Sequence, residues 1–229
     1  MSDPAALQEL IAHAFRDGRL LELALTHKSY ANENRLPEHN ERLEFLGDSV
    51  LNLAVSERLM RTCPDATEGE LSRLRAAVVS EPTLAMVGRA IGLGSHLLLG
   101  RGEDQTGGRD KSSLLADSVE ALIAAIYLDA GKDAADGFIH RFFDDAIRTA
   151  CSARGRTDNK TELQELCQER LRVLPEYRVV SATGPDHRKQ FEVEVWINGR
   201  LSGRGTGGSK KEAEQKAASE ALVKLTEQQ

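Results

Sequence analysis

Residues 39–51 have the sequence His39-Asn40-Glu41-Arg42-Leu43-Glu44-Phe45-Leu46-Gly47-Asp48-Ser49-Val50-Leu51. The apolar residues of this segment recur at helical spacing, which predicts an amphipathic helix. Glu41, Glu44 and Asp48 stand at i, i+3 and i+7, so the helix places three carboxylates on one stripe. Like charges at this spacing repel each other, and an isolated helix gains no stability from them. The stripe therefore indicates a role outside the helix itself.

A second acidic pair interrupts the most apolar helix that the sequence predicts, at residues 114–128. Asp117 and Glu120 stand at i and i+3 in a run that is apolar on nearly every side, so we expect a buried central helix. Carboxylates are rarely buried unless they are paired or bind a metal. Two acidic pairs in two apolar helices favour a cation between those helices. A solvated acidic face, paired with arginines such as Arg42, is the alternative that the spacing leaves open.

The donor atoms of this acidic set are all carboxylate oxygens, without a metal-ligand pattern of His or Cys. An all-oxygen set favours Mg²⁺ or Mn²⁺ over Zn²⁺. Mg²⁺ pairs naturally with phosphate substrates, where it can activate water and stabilise a leaving oxygen. Glu68 has two interpretations of equal weight, because the helix dipole alone explains an acidic residue at a helix start.

The composition favours two unequal globular domains. The chain has 229 residues, and its aromatic content of 4 % favours helices over a large β-sandwich. The net charge of −6 belongs to the first part, because residues 155–229 hold 13 Lys and Arg against 12 Asp and Glu, and residues 1–154 hold 17 against 24. This acidity excludes nonspecific attraction of nucleic acid over the whole surface, but it permits a local basic patch.

The sequence predicts neither a secretory signal nor a membrane partner. The N-terminus lacks a basic start followed by an apolar run. The most apolar stretch, residues 121–128, is far shorter than the ~20 residues that span a bilayer. Cys63, Cys151 and Cys167 form neither a disulfide framework nor a zinc pattern, so each is expected to be a reduced thiol. The expected compartment is the cytoplasm.

Helix follows helix over residues 1–150, and the pattern changes after a linker at residues 152–159. Thr67 and Glu70 form a capping-box pattern at one helix start, and the glycine-rich residues 100–108 predict a loop. The remaining residues predict the order α-β-β-β-α. Its elements are helices at 161–171 and 210–225 and strands at 177–182, 191–197 and 201–205. In the middle strand Phe191, Val193 and Val195 alternate with Glu192 and Glu194, which predicts one buried and one solvated face.

Several blocks of the first part closely resemble the ribonuclease III family. Residues 40–49 match its signature without departure, and residues 26–30, 67–69 and 115–122 resemble its other blocks in the expected order. The resemblance implies an all-α endonuclease domain at residues 1–151. It also implies a homodimer with one cleavage centre in each subunit. Ala124, where the family's Gly is expected, departs from the pattern and puts the local helix packing in doubt.

The resemblance also implies an activity and its residues. The activity is Mg²⁺-dependent endonucleolytic hydrolysis of double-stranded RNA, with Mn²⁺ able to substitute. It leaves 5′-phosphate and 3′-hydroxyl ends with short 3′ overhangs and processes ribosomal RNA precursors, messenger RNA and other structured transcripts. The implied metal ligands are Glu44, Asp117 and Glu120. The implied catalytic residues are Asp48 and Glu120, assisted by Glu41 and Glu68 at the site or at the cleft between two subunits.

Residues 160–226 resemble a double-stranded RNA-binding domain of the α+β class, with the order α-β-β-β-α. Because A-form RNA hides its base edges in a deep major groove, such domains contact 2′-hydroxyls and phosphates. The candidate RNA-binding residues are Thr161, Gln164 and Glu165 on the first helix, His187 in the first hairpin loop, and Lys210 and Lys211 at the start of the last helix. Taken singly, His187 and the lysine pair are equally typical of an ordinary exposed surface.

Two features of this second domain need a separate interpretation. The glycines before Lys210 are not a nucleotide-binding loop, since no Gly-Lys-Ser/Thr follows and the preceding pattern is a β-meander. Glu214 stands where relatives carry a third basic residue, which predicts a lower affinity for phosphate. Two alternative hypotheses are that the protein is a noncatalytic duplex-RNA binder or a helical enzyme that acts on a small diphosphate. The complete carboxylate set argues against the first, because a binder does not need it. The second leaves residues 160–225 unexplained.

Overall fold

The computed structural model describes residues 4–153, 159–185 and 189–227. The chain divides into two compact units, residues 1–152 and residues 153–229. In the described residues the first unit is helical apart from one isolated bridge between Thr26 and Leu98. The second unit combines two helices with a three-stranded sheet. The predicted fold class, an all-α domain followed by an α-β-β-β-α domain, is confirmed.

The first unit is assembled around one long apolar helix. Its helices are α1 (Pro4–Ile11), α2 (Gly18–Leu25), α3 (Lys28–Asn34), α4 (Glu41–Thr62), α5 (Glu68–Val78), α6 (Glu81–Ala90), α7 (Arg101–Gln105), α8 (Ser112–Ala130) and α9 (Lys132–Ala153), with 3₁₀ turns at Leu93–His96 and Gly108–Asp110. Helix α8 is buried along most of its length and packs against α4, α6 and α2. It is the buried central helix that the sequence predicts. Ala124 is fully buried there, so the unit closes around it without the family's Gly.

Two local features fix how the helices begin and how closely they approach. Thr67 and Glu70 form the predicted capping box at the start of α5. Gly47 lies in α4 where that helix meets α8, and a Cβ at this position would lie 1.8 Å from the carbonyl oxygen of Glu120. Gly47 therefore permits a backbone approach between the two acidic helices that no larger residue allows.

Two predictions about the first unit are wrong. Residues 100–108 are not a plain loop, because Arg101–Gln105 forms a short helix; the Arg109 guanidinium supports this segment by binding Asp104 and the carbonyl oxygens of Gly94 and Leu97. Cys63 and Cys151 are not isolated thiols, because the structure places them side by side in disulfide contact, with Cα atoms 6.6 Å apart. The ends of α4 and α9 meet at these two cysteines. Because the cysteines are 88 residues apart in the sequence, the sequence alone gives no sign that they are close.

The second unit follows the predicted order. Helix α10 (Asn159–Leu171) precedes strands β1 (Glu176–Thr183), β2 (Gln190–Ile197) and β3 (Arg200–Gly207), and α11 (Lys210–Glu227) closes the unit. The strands form an antiparallel sheet in the order β1-β2-β3. Cβ atoms added at Gly203 and Gly205 would lie 2.3 Å and 2.2 Å from backbone oxygens of α11, so these glycines let the helix lie directly on β3. This packing is their role, and it agrees with the rejection of a nucleotide-binding loop.

One face of β2 is more covered than the alternation predicts. Val193 and Val195 are buried as expected, but Glu194 on the opposite face is only 8 % exposed. Trp196 Nε1 and Arg204 Nε each donate to its carboxylate at 3.0 Å. Trp196 and Arg204 therefore cover part of the face that the alternating pattern predicts to be solvated. Alternation predicts the face on which a residue lies, and not which side chains cover that face. Among the helices of the described residues, none is long and apolar enough to cross a membrane.

Candidate functional site

Helices α4 and α8 bring carboxylates from both acidic segments together. One oxygen from each of Glu44, Asp117 and Glu120 lies within 4.8 Å of the others. The i, i+3 spacing directs Asp117 and Glu120 toward α4, and the close approach at Gly47 brings Glu44 to them. These are the three residues that the resemblance implies as metal ligands, so the structure brings the expected set together.

The pKa values of this cluster are dominated by burial and by repulsion between carboxylates, although Lys28 lies close enough to oppose the shift at Glu44 and Asp117. Burial, followed by the charges of Asp48, Glu44 and Asp117, raises the pKa of Glu120 to about 8. Burial also raises the pKa of Glu44 and of Asp117, with further contributions from Asp117 and from Glu81 respectively. A bound cation would oppose every one of these shifts, because it favours the ionised carboxylates. The donor set is all oxygen and partly buried, so it fits a hard divalent ion.

A cavity of about 410 Å³ opens beside the cluster. It is lined by His27, Lys28, Asn40, Glu41, Glu44 and Asp117. Glu41 pairs with Lys28, whose Nζ lies 3.0 Å from its Oε1, and this bond holds the pKa of Glu41 below its usual range. Glu41, which the sequence predicts as a site residue, therefore lies at the site. Its ionised carboxylate and the ammonium group of Lys28 are held together at the edge of the cavity.

Asp48 and Glu68 lie outside the group of three. Asp48 accepts a hydrogen bond of 2.6 Å from Asn52 Nδ2, and its charge contributes to the raised pKa of Glu120, so it lies at the margin of the cluster. Glu68 at the start of α5 accepts a hydrogen bond from Ser72 Oγ at 2.8 Å. It does not line the cavity. Within one chain the structure does not bring Glu68 to the other candidate residues.

Three residues of the cavity have no role in the sequence prediction. His27 is the N-cap of α3, where its Nδ1 accepts from the Ser29 amide at 3.2 Å, and burial lowers its pKa. Lys28 follows it in the helix. Asn40 is held beside them because its backbone N–H donates to the Thr26 carbonyl at 2.9 Å. The sequence identifies residues 26–30 only as a block of the family, and the contact with Asn40 that gives the block its place is visible in three dimensions alone.

The candidate RNA-binding residues of the second unit are distributed over the starts of its two helices. Gln164 and Glu165 are exposed on α10 and line a shallow depression, and Thr161 is partly buried in the first turn. Lys210 and Lys211 are exposed in the first turn of α11, which Ser209 caps by accepting from the Glu212 amide. His187 lies outside the described residues.

Glu214 is neutralised by a neighbour from the other helix. Lys160 Nζ lies 2.7 Å from its Oε2 and also stacks over the Tyr177 ring at 4.5 Å. The amide of Gln215 accepts from the Lys160 backbone N–H, which ties the starts of α10 and α11 together. The acidic residue at this position therefore also pairs with a lysine at the start of α10.

Fold and site together define a class of protein. A helical unit with a carboxylate cluster is followed by an α-β-β-β-α unit that exposes lysines at a helix start, which is the arrangement of a two-domain nuclease for duplex RNA. The family model described as Ribonuclease-III-like matches residues 17–146, and the family model of the double-stranded RNA binding motif matches residues 159–225. The chain belongs to the ribonuclease III family.

Individual relatives agree over most of the chain. It is 55 % identical over 206 residues to Ribonuclease 3 of Myxococcus xanthus, covering 89 % of this chain and 79 % of that protein. It is 52 % identical over 227 residues to Ribonuclease 3 of Nocardia farcinica, covering 98 % and 94 %. A solved nuclease domain of ribonuclease III from Campylobacter jejuni superposes with a TM-score of 0.60 at 40 % identity, covering 63 % of this chain and 98 % of that one.

Proposed function

We propose that this chain is a Mg²⁺-dependent endoribonuclease that hydrolyses double-stranded RNA. The observation that carries the proposal is the union of Glu44, Asp117 and Glu120 in one carboxylate cluster, in a chain that also contains a duplex-RNA-binding unit. The products have 5′-phosphate and 3′-hydroxyl ends with short 3′ overhangs. The substrates are ribosomal RNA precursors, messenger RNA and other structured transcripts.

Each carboxylate has a distinct part in this proposal. Glu44, Asp117 and Glu120 would hold Mg²⁺, for which Mn²⁺ can substitute. The ion, when bound, stabilises the negative charge that develops on the phosphate during hydrolysis. Asp48 and Glu120 would act as the catalytic carboxylates: they orient the attacking water, and one of them accepts a proton from it as its oxygen bonds to phosphorus. The bond from phosphorus to the 3′ oxygen breaks, and that oxygen takes a proton from solvent to give the 3′-hydroxyl end. Glu41, fixed by Lys28, assists at the edge of the cavity.

The second unit supplies most of the affinity for RNA. Thr161, Gln164 and Glu165 contact 2′-hydroxyls, and His187 reaches the next minor groove. Lys210 and Lys211 contact the phosphates between the two grooves, supported by the backbone N–H groups at the start of α11. We place the nuclease domain at residues 1–151, the linker at 152–159 and the RNA-binding domain at 160–226.

We further propose that the active form is a homodimer with one cleavage centre in each subunit. Phe45 is 78 % exposed on α4, and Leu53 and Met60 are exposed on the same side of that helix. This apolar side borders the acidic stripe, so a second copy covering it would place two clefts next to each other. Glu68 then acts at the cleft that two subunits form. The solved nuclease domain from Campylobacter jejuni is likewise described as having a region involved in dimer formation.

The cytoplasm is the proposed compartment, since its substrates are made there and no membrane partner is expected. The test of the function is cleavage of a long RNA duplex in Mg²⁺, in Mn²⁺ and in EDTA, with the end chemistry mapped. We expect metal-dependent cutting and a loss on the order of 10³-fold in Glu120→Gln, with duplex binding retained. Glu38→Gln, which changes an exposed glutamate outside the cavity, is the control. Binding without metal-dependent cutting by the unmodified protein would contradict the proposal.

A further inference from the structure

We propose that the side-chain amide of Asn40 is a substrate-binding group that donates a hydrogen bond to a non-bridging oxygen of the scissile phosphate. The inference rests on the proposed function, because it assigns a further residue to the same reaction. Its basis is an amide that makes no hydrogen bond within the described residues, on a residue that is 3 % exposed and lines a cavity rich in carboxylate acceptors.

Asn40 has none of the usual structural reasons to be an asparagine. It is the N-cap of α4, a position where the Asn side chain normally accepts from a backbone N–H two or three residues later. Here its backbone is in the right-handed helical region, with φ −70° and ψ −14°, and its side chain makes no capping hydrogen bond. Within the described residues no hydrogen bond to its side chain replaces the missing cap. The backbone does the structural work, by donating to Thr26 and accepting from Glu44.

The burial of Asn40 directs its amide to one place. The residue is only 3 % exposed, and it lines the cavity beside the carboxylate cluster. The cavity is therefore the direction from which a hydrogen-bond partner can reach it. A ligand in the cavity that accepts from this amide gains a hydrogen bond that no protein group within the described residues takes up.

The chemistry of the cavity identifies the ligand group. Glu41, Glu44 and Asp117 can only accept hydrogen bonds when ionised, and a phosphodiester oxygen needs donors. Three lining residues can donate: Lys28, which gives one N–H to Glu41, His27, whose Nδ1 accepts from Ser29 and leaves Nε2 as its donor, and Asn40. Of these, Asn40 is the one whose side chain is a neutral amide and makes no hydrogen bond within the described residues. A neutral amide suits this position, because it can bind a phosphate oxygen without displacing the cation that the carboxylates attract.

The sharpest test compares Asn40→Ala with Asn40→Asp in the full chain. Ala removes the donors, whereas Asp keeps the size, removes the donors and adds a charge that repels phosphate. Asp is also a favourable N-cap next to the helix dipole, so a purely structural role predicts that Asp preserves function. We expect the rate at saturating duplex RNA to fall roughly 10- to 100-fold in Ala and further in Asp. The half-saturating RNA concentration should change less than about twofold, because phosphate contacts elsewhere supply the affinity.

The controls separate this inference from the proposed function. Asn32→Ala removes an exposed amide from α3 and should cut at the unmodified rate. Thermal melting should show all three variants folded. If the unmodified protein cuts and Asn40→Asp cuts equally well, the inference is wrong and the function stands. If the unmodified protein does not cut, both fail. A 2′-deoxy substitution at the cut site that is non-additive with Asn40→Ala would assign the amide to a ribose hydroxyl and overturn the phosphate assignment.

Discussion

The ionised form of Glu120 is in an unfavourable environment, because the residue lies on a buried helix with three other carboxylates around it. Burial and the charges of Asp48, Glu44 and Asp117 raise its pKa to about 8. Without a cation, the folded protein therefore holds a proton on Glu120 at neutral pH. Metal binding must release that proton, so we expect the affinity for Mg²⁺ to rise with pH until about pH 8.

The same pKa shift predicts how stability depends on pH when the metal is removed. A glutamate in the unfolded chain has its ordinary pKa of 4.5, and folded Glu120 titrates near 8, so between these values the folded state binds more protons. Stability contributed at this site therefore falls as pH rises through that window and levels off above it. In EDTA the melting temperature of the unmodified protein should fall relative to Glu120→Gln from pH 5 to pH 8. A difference that stays constant across this range would contradict the assignment.

The sequence identifies the acidic residues of the site but not the residues that lie beside them in space. The i, i+3 spacing is sufficient to predict that Asp117 and Glu120 share one side of a helix. It cannot reveal that Glu68 lies outside the cavity, because that depends on where α5 packs. Asn40 and Lys28 are adjacent in space through a backbone contact with Thr26, and no periodicity contains that information.

At the scale of helices, the cluster depends on how closely α4 approaches α8. A methyl group at position 47 would overlap the Glu120 carbonyl, which belongs to backbone and cannot rotate away. We therefore expect Gly47→Ala to separate the helices, to lower the free energy of unfolding by about 3 kcal/mol and to abolish cleavage. Denaturant unfolding and a cleavage assay measure the two effects.

Gly137→Ala is the matched control for this substitution. Gly137 lies in α9, and a Cβ there meets nothing within 4 Å. The control should raise stability by roughly 0.5–1 kcal/mol, because Ala loses less backbone entropy than Gly in a helix. Equal stability of the two variants would mean that the helix contact at Gly47 is not tight.

In the second unit, Lys160 and Glu214 form an ion pair between α10 and α11. Glu214→Lys removes the partner of Lys160 and adds a charge beside the start of α11. We expect duplex-RNA affinity near 0.15 M salt to rise roughly threefold to tenfold, and the salt dependence of binding to steepen by about one phosphate contact. Glu176→Lys makes the same charge change on β1, next to Arg178 on the sheet face away from the helices. An equal gain in both variants would indicate a general charge effect.

Elements with strong periodicity are predictable from the sequence, and elements held by single side chains are not. The predicted strands agree with the observed ones within one or two residues of their ends because Val193 and Val195 alternate with polar residues. The short helix at Arg101–Gln105 escapes prediction because its sequence is glycine-rich and its support comes from Arg109 contacts. Alternation assigns Glu194 to solvent because it records the face of a residue, and not what covers that face.

At the scale of the whole molecule, the charge of the chain is divided according to the tasks of its parts. Residues 1–154 carry 24 acidic against 17 basic residues, and this excess includes the cluster that a cation would neutralise. Residues 155–229 are nearly balanced, with 13 basic against 12 acidic residues, and expose Lys210 and Lys211 at one helix start. An acidic chain is thus compatible with a polyanionic substrate. The attraction for RNA is local to the exposed lysines, and part of the acidic excess belongs to the cluster that a cation would neutralise.

The disulfide between Cys63 and Cys151 would close a loop that spans most of the first unit. Closing a loop of 88 residues restricts the unfolded chain and stabilises the fold by about 4–5 kcal/mol. Oxidised protein should therefore melt on the order of 10 °C above reduced protein. Cytoplasmic thiols keep most cysteines reduced, so the bond should form in purified protein on exposure to oxidised glutathione. The double variant Cys63→Ser, Cys151→Ser should show no such difference, and alkylation with mass spectrometry should count two fewer free thiols after oxidation of the unmodified chain. Two thiols that remain free in oxidised glutathione would show that the ends of α4 and α9 do not approach closely enough to bond.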